Sequence, residues 1–346
     1  MQHIGIDCRF SCGHSGIARY CRELVPALLA QDHQHSYTLF VRSTEEEWIA
    51  HLPGNAKICV APFAPYSFAE QWKFPSLLRT AGIDLLFVPH FNVPLRCPVP
   101  FVVTIHDLIL HRYPNQASLL RQIAYRFSMR KAVQRSSRII AVSSFTAEEV
   151  RRTYGEHIAE KTTVIQEAVS SQFTPRSTEE QEAVRSRYHL PKTFLLYVGN
   201  AKQHKNLPVL LAAFRQAQLQ ETALVLVTGE KEASRLHTGT NVQRIESVRE
   251  EDLPALYSAS RAFVTASLYE GFCFPLLEAA ACGCPVLAVN GSAIAEVAPP
   301  GAVLVEPMVA SFAAAFKHLP APAPSPSLHS RTWKHVAEET LSVLRK

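Results

Sequence analysis

Short apolar runs alternate with amphipathic stretches along most of the chain. HIGIDCRF (3–10), YTLFV (37–41), KICVA (57–61), IDLLFVP (83–89), PFVVTIH (100–106) and RIIAVSS (138–144) are rich in aliphatic and β-branched residues and read as buried strands. Between them, IARYCRELVPALLAQ (17–31), a stretch over roughly 68–80, a basic stretch over about 116–135 and FTAEEVRRTYG (145–155) read as helices, with Gly155 as a stop. TTVIQEAV closes this run. A polar stretch over 170–192 follows, with a charged helix beginning near Ser177. The alternation then restarts with strands at TFLLYVG (193–199), ALVLVTG (223–229), RAFVTAS (261–267) and PVLAV (285–289). Helices are expected at LPVLLAAFRQA (207–217) and EEDLPALYSAS (250–260), and again between the last two strands. LPAPAPSPSLHS (319–330) reads as an extended proline-rich linker, and RTWKHVAEETLSVLRK as a closing helix. Two runs of β–α alternation predict two mostly parallel sheets with helices on both faces. The expected divisions are 1–169, 170–328 and a terminal helix at 329–346.

Composition narrows the class. A chain of 346 residues that is 47% hydrophobic suits two domains with real cores. No apolar run reaches the ~18–20 residues of a membrane helix, and MQHIGIDCRF lacks a signal-peptide layout, so a cytoplasmic setting is expected. The eight cysteines form no C-x2-C pair, which argues against zinc and for buried free thiols. Net charge is +5 but uneven. No acid lies between Asp107 and Glu148, while Arg121, Arg126, Arg130, Lys131, Arg135 and Arg138 accumulate there. Such a helix is either a solvated basic face or a contact with the inner face of an anionic membrane. No nucleic-acid-binding motif accompanies it.

The candidate chemistry centres on SLYEGFCFPLLEAAACGCPVLAV (267–289). Gly271 permits a turn after a strand, Pro275 suits the first helical position, and Gly283 suits the stop. Glu270 therefore sits in a loop at a strand's carboxyl end, and Glu278 about one turn into the next helix. Ligands bind in that crevice of an open parallel sheet. A helix start favours phosphate, and carboxylates accept from hydroxyls. Phosphate and hydroxyls together mean a nucleotide, a sugar, or both joined.

Glu270-x7-Glu278 inside YEGFxxPLLEAxAxGxPV resembles the signature of retaining glycosyltransferases of family 4, mannosyl- and rhamnosyltransferase-like. The resemblance implies the GT-B fold: two Rossmann-like α/β domains facing a central cleft, with the last helix crossing back to the first domain. It implies that Glu270 contacts the transferred sugar, that Glu278 holds the nucleotide ribose, and that amides at Gly271, Phe272 and Cys273 meet the diphosphate or sugar. GNAKQHKN (199–206) is similar to the family's diphosphate-binding segment, with Gly199 and Asn200 placed at the donor and Lys205 matching the lysine. Asn200 stands where many members have arginine, a lost cation that Lys202 or His204 would partly replace. SCGHSGIARY (11–20) resembles the family's glycine-containing loop, with Ser15 and Gly16 toward the donor and Ala18 in place of a usual glycine. His106, in TIHDL, matches a histidine close to the reacting sugar, with Asp107 orienting it or binding acceptor. His90 and Asn92, in PHFNVPL, are placed at the acceptor. Ser143 and Glu296 match recurrent family positions and are read as structural.

The resemblance implies transfer of a hexosyl or deoxyhexosyl group from a nucleotide-sugar to an acceptor hydroxyl with retention. A saccharide or lipid-linked saccharide is the expected acceptor, in surface polysaccharide or glycolipid assembly. The leaving diphosphate takes the acceptor proton, so no cofactor and no metal is expected; the sequence has no D-x-D pair to hold one. Mannose-like residues linked to GDP are favoured. Base selection is assigned to loops such as GEKEASR (229–235). Two other readings share these motifs: a GT-B phosphorylase or nucleotide-sugar epimerase, and a non-catalytic nucleotide-sugar-binding subunit.

Overall fold

The computed structural model describes residues 1–13, 15–229, 239, 241–321 and 330–345. His14 of the first loop, most of the GEKEASR segment and most of the proline-rich stretch lie outside the described residues. The chain divides into two compact units, Met1–Ala168 with Trp333–Lys346, and Val169–Thr332.

The first unit runs β1 (His3–Asp7), α1 (Gly16–Gln31), β2 (Ser36–Val41), α2 (Glu47–Ala50), β3 (Ala56–Val60), α3 (Phe68–Ala81) and β4 (Leu85–Val88). It continues with β5 (Phe101–Ile105), α4 (Ile109–Arg112), α5 (Leu119–Arg135), β6 (Arg138–Ala141), α6 (Ser144–Tyr154), α7 (Glu156–Ala159) and β7 (Thr162–Val164). All seven strands are parallel, in the order β3-β2-β1-β4-β5-β6-β7. The central strands β4 and β5 bury every residue, which is why their sequences are continuous apolar runs rather than alternating ones.

The second unit runs α8 (Thr178–Arg187), β8 (Phe194–Val198), α9 (Leu207–Ala217), β9 (Ala223–Val227), β10 (Val242–Ile245), α10 (Leu253–Ala259) and β11 (Ala262–Thr265). Then come α11 (Phe274–Ala281), β12 (Val286–Val289), α12 (Ser292–Val297), β13 (Val303–Val305) and α13 (Val309–Ala315). Its sheet is parallel in the order β10-β9-β8-β11-β12-β13. Both orders are Rossmann-like, with the direction of winding reversing between β1 and β4 and between β8 and β11. The loops after those strands are where ligands dock.

Helix ends follow local chemistry. Ser15, Ser67, Ser143 and Ser177 each accept a backbone N–H from the first turn of α1, α3, α6 and α8, and Glu180 completes a capping box on α8. The segment Trp333–Leu344 forms α14 and packs on α1. Trp333 meets Tyr20 edge-on at 5.8 Å, Gln31 donates to the Lys334 carbonyl at 2.9 Å, and Arg345 pairs with Asp32 at 3.5 Å.

Some elements differ from the sequence reading. The basic helix starts at Leu119, because Pro114 opens a separate 3-10 turn after α4. Edge strands β10 and β13 are half-buried and short; β10 is too weakly patterned to stand out, and β13 has only three residues. Helix α11 begins at Phe274, so Pro275 is its second residue. The thiols are free as expected, but Cys12 is exposed rather than buried, with Sγ donating to Glu46 at 3.0 Å.

Candidate active site

In the second unit the loops after β8 and β11 meet at the point where the winding reverses. Lys205 closes a 3-10 turn (Gln203–Lys205), and its Nζ lies 2.5 Å from Oε1 of Glu270. Both side chains are mostly buried, at 16% and 13% exposure. The backbone of Glu270 is fixed from the other side: its N–H donates to Ser292 Oγ at 3.2 Å, and its carbonyl accepts from Ala293 N at 3.3 Å. Ser292 has a left-handed φ of 52°. Glu278 projects from α11 at 2% exposure and accepts from the Tyr257 hydroxyl at 3.0 Å. Ser292 and Tyr257 were not singled out in the sequence, since neither carries a charge or sits in the signature.

Between these carboxylates, Gly271 and Phe272 are buried, and Phe272 packs edge-on against Phe274 at 5.4 Å. Cys273 caps α11 with φ 83°, and burial raises its thiol well above the ordinary cysteine range. It is therefore a thiol and not a thiolate. Gly199 has φ 154°, and a Cβ there would come 3.0 Å from the Tyr197 hydroxyl, which donates to the Asn200 carbonyl at 2.5 Å. Asn200 turns its own Oδ1 back to Lys202 N at 3.3 Å. His204 does not replace the missing cation. It is buried, and desolvation with Lys205 and Lys202 nearby pushes its pKa down to about 3. Its ring is neutral; its carbonyl accepts from Leu268 N at 2.8 Å and ties the two loops together.

In the first unit, the corresponding loops follow β1, β4 and β5. Arg9 donates to Asp7 through Nε at 2.8 Å and through Nη2 at 2.7 Å, and Nη2 also reaches Glu70 at 2.7 Å. All three side chains are fully buried, and the guanidinium lies 3.9 Å from the Phe74 ring centroid. Asn92 Nδ2 donates to the Glu70 carboxylate, 2.8 Å from Oε1 and 3.0 Å from Oε2. Asn92 thus braces the buried Glu70 carboxylate through its amide nitrogen. His90 is 6% exposed, stacks on Phe10 at 4.7 Å, and accepts from Asn92 N at Nδ1, 3.2 Å away. Burial and the neighbouring His106 hold it well below the usual histidine range.

His106 Nε2 lies 3.0 Å from the Pro89 carbonyl, and Nδ1 lies 3.2 Å from Oε1 of Glu167. Asp107 Oδ1 accepts from Ile109 N at 2.9 Å, at the first residue of α4, and its charge helps to raise the pKa of His106. Glu167 was missed because it follows the short strand β7 outside any motif. Ser15 accepts from Ala18 N at 3.1 Å as the cap of α1, leaving Gly16 as the first helical residue. Ser143 is likewise a buried cap, accepting from Thr146 N at 3.1 Å.

Thus Lys205, Glu270, Gly271, Phe272, Cys273 and Glu278 come together with Gly199 and Asn200 in the second unit. His90, His106 and Asp107 cluster at strand ends of the first unit. The second-unit group offers a cation, the N-terminus of helix α11 and two carboxylates. That set suits a diphosphate joined to hydroxyl-bearing rings.

Residues 14–173 match the family model for Glycosyltransferase Family 4, and residues 179–320 that for Glycosyl transferases group 1. The O-antigen chain mannosyltransferase B of Escherichia coli is 30% identical over 232 residues, covering 63% of this chain and 60% of that protein. The serotype-specific mannosyltransferase WbdA of Escherichia coli is 29% identical over 228 residues, covering 61% of this chain and 27% of that protein. The chain thus spans less than two thirds of the length of these relatives. The structure of sucrose-phosphate synthase from Thermosynechococcus elongatus matches 100% of this chain and 98% of its own, with a TM-score of 0.77 and 20% identity. That likeness speaks to the fold alone, two Rossmann-like domains of the GT-B kind.

Proposed function

Since this chain belongs to the glycosyltransferases, family 4 in its first unit and group 1 in its second, we propose that it transfers a mannose-like hexosyl or deoxyhexosyl group from a nucleotide-sugar to an acceptor hydroxyl, with retention. The Lys205–Glu270 pair at the second unit's winding reversal carries this reading. Lys205 and the first amides of α11 supply preorganised positive potential where the leaving diphosphate gains charge. Glu270 accepts from the sugar hydroxyls, and Glu278, held by Tyr257, accepts from the ribose. The departing diphosphate oxygen takes the proton of the acceptor as the new glycosidic bond forms. The reading uses no divalent cation. The mannose preference comes from relatives named as O-antigen mannosyltransferases, and it points to surface polysaccharide assembly.

A thermal-shift panel of GDP, UDP, dTDP and ADP, with and without EDTA, tests the donor site. One nucleotide at a hundred times its dissociation constant is expected to add about 2.7 kcal/mol, unchanged by EDTA. No stabilisation from any of the four removes the donor-site reading.

The acceptor is read as lipid-linked, at a membrane surface. No helix among the described residues is long and apolar enough to cross a membrane. Helix α5, however, exposes Leu119, Leu120, Ile123 and Phe127 at three- and four-residue spacing, beside exposed Arg121, Arg126, Arg130 and Lys131. On α3, Phe68 and Trp72 are also exposed one turn apart. An apolar stripe edged by cations suits an anionic bilayer surface. Cosedimentation with anionic vesicles is expected to exceed that with neutral ones and to fall in a Leu120→Ser, Ile123→Ser variant. Equal sedimentation with both lipids ends this part of the reading.

A further inference from the structure

Tyr66, in the loop between β3 and α3, has a left-handed φ of 63°. That backbone suits glycine and strains a bulky aromatic residue, so it persists only where the surroundings fix it. Here they do. The Tyr66 N–H donates to Oε2 of Glu70 at 2.7 Å, and the same fully buried carboxylate holds Arg9 and Asn92. The side chain displayed in this way stays 61% exposed. Core packing does not ask for a strained backbone under a ring that remains mostly in solvent.

Through Arg9, Tyr66 and Asn92, Glu70 ties together the loops after β1, β3 and β4, and each loop contributes one ring to an aromatic cluster. Phe10 stacks on His90 at 4.7 Å, and Tyr66 meets each of them edge-on at 6.1 Å. His90 Nδ1 accepts from Asn92 N, so it carries no hydrogen, and the ring is neutral with its hydrogen on Nε2. The Tyr66 hydroxyl lies 3.4 and 3.5 Å from the two ring nitrogens. Since the Nδ1 lone pair is taken, that hydroxyl keeps its hydrogen for an outside acceptor. All three rings are thus uncharged. The charges tied to these loops are two carboxylates on one guanidinium, Asp7 and Glu70 on Arg9, which disfavours an anion. A phosphate or nucleotide is therefore a poor match. A pyranose fits: it is neutral, its ring C–H groups meet the electron-rich face of an aromatic ring, and its rim of hydroxyls donates and accepts.

We propose that Phe10, Tyr66 and His90 form a saccharide-binding surface on the first unit, with Tyr66 the residue that holds one neutral sugar ring of the acceptor. That the bound sugar is an acceptor rests on the glycosyl-transfer reading; that the surface binds a sugar does not. The strain at Tyr66 is then the cost of presenting its ring to a ligand, and the buried Glu70 network is what sustains it.

The test starts without turnover. The full chain, carrying carbon-13 in its tyrosine rings, is titrated with mannobiose, a probe chosen from the relatives named as mannosyltransferases. The Tyr66 signal is assigned through Tyr66→Phe. Mannobiose is expected to move that signal; inorganic phosphate and GDP are expected to leave it in place. Tyr66→Gly relieves the backbone and removes the ring, so it is expected to keep or raise the urea midpoint while binding mannobiose roughly tenfold more weakly. Tyr66→Phe keeps the ring and most of the affinity. A Tyr66 signal that ignores mannobiose, or moves with phosphate or GDP instead, overturns the proposal, as does wild-type affinity in Tyr66→Gly. Kinetics with mannobiose as acceptor separate the proposal from the transfer reading. The loss in Tyr66→Gly is expected mainly in the acceptor KM, with the KM for the nucleotide-sugar little changed. Transfer with the same acceptor KM in Tyr66→Gly overturns the proposal and leaves the transfer reading intact. A wild type that binds mannobiose at Tyr66 yet transfers nothing counts against the transfer reading and leaves the saccharide surface standing.

Discussion

Lys205→Ala lowers kcat by roughly a hundred- to a thousand-fold, the scale seen when one preorganised group that meets developing charge is removed. Glu270→Ala falls in the same range for a different reason. Lys205 is the cation for the diphosphate, whereas Glu270 accepts from hydroxyls of the sugar. The two variants therefore separate in binding. Glu270→Ala keeps its stabilisation by nucleoside diphosphate, which carries no sugar, and Lys205→Ala loses most of it. The double variant is expected to lose less than the product of the single losses, because Nζ and Oε1 are 2.5 Å apart and each side chain positions the other. Steady-state kinetics on the three proteins, with thermal shifts beside them, decide the matter. Normal turnover in both single variants would remove this pair from the site.

The largest effect on stability is expected at Arg9. Arg9→Met removes the one cation shown between Asp7 and Glu70, and both carboxylates are fully buried. Burying charge without a partner is costly, and breaking such a pair typically destabilises by about 3–5 kcal/mol. Loss of the guanidinium over Phe74 adds to the cost. Urea unfolding of the first unit should show a lower midpoint with an unchanged slope. The exposed Arg151–Glu148 pair on α6 is the control, since solvent screens it and its loss should leave the midpoint in place. An Arg9→Met protein that unfolds at the wild-type urea concentration would refute the account of this network.

The strand–helix alternation was legible because buried parallel strands leave unmistakable apolar runs, as in LLFV of β4 and ALVLV of β9. The edge strand β10 was not, because VQRI has only two apolar residues and buries neither fully. The two carboxylates of the candidate site were legible in a single window, since Glu270 and Glu278 are separated by only a turn and the start of α11, while Lys205 came from a second motif. What escaped were partners brought in from distant sequence. Glu70 and Asn92 are 22 residues apart, and His106 and Glu167 meet only because β5 and β7 lie in one sheet. Asn92 was read from its place at a strand end, and its bond to the buried Glu70 carboxylate could not be seen from there. His204 looked like a spare cation because sequence reports a residue type and not its desolvation.

Helix α14 has a consequence for synthesis. The first unit is interrupted: the whole second unit is made between β7 and the segment that covers α1. Domains ordinarily fold as units as they emerge from the ribosome. Here the earlier unit stays unfinished while the later one is already complete, and the Tyr20 side of α1 lacks its Trp333 cover during that interval. A chain cut just after residue 332 would thus carry a finished second unit attached to an open first one, the reverse of the usual outcome of late truncation.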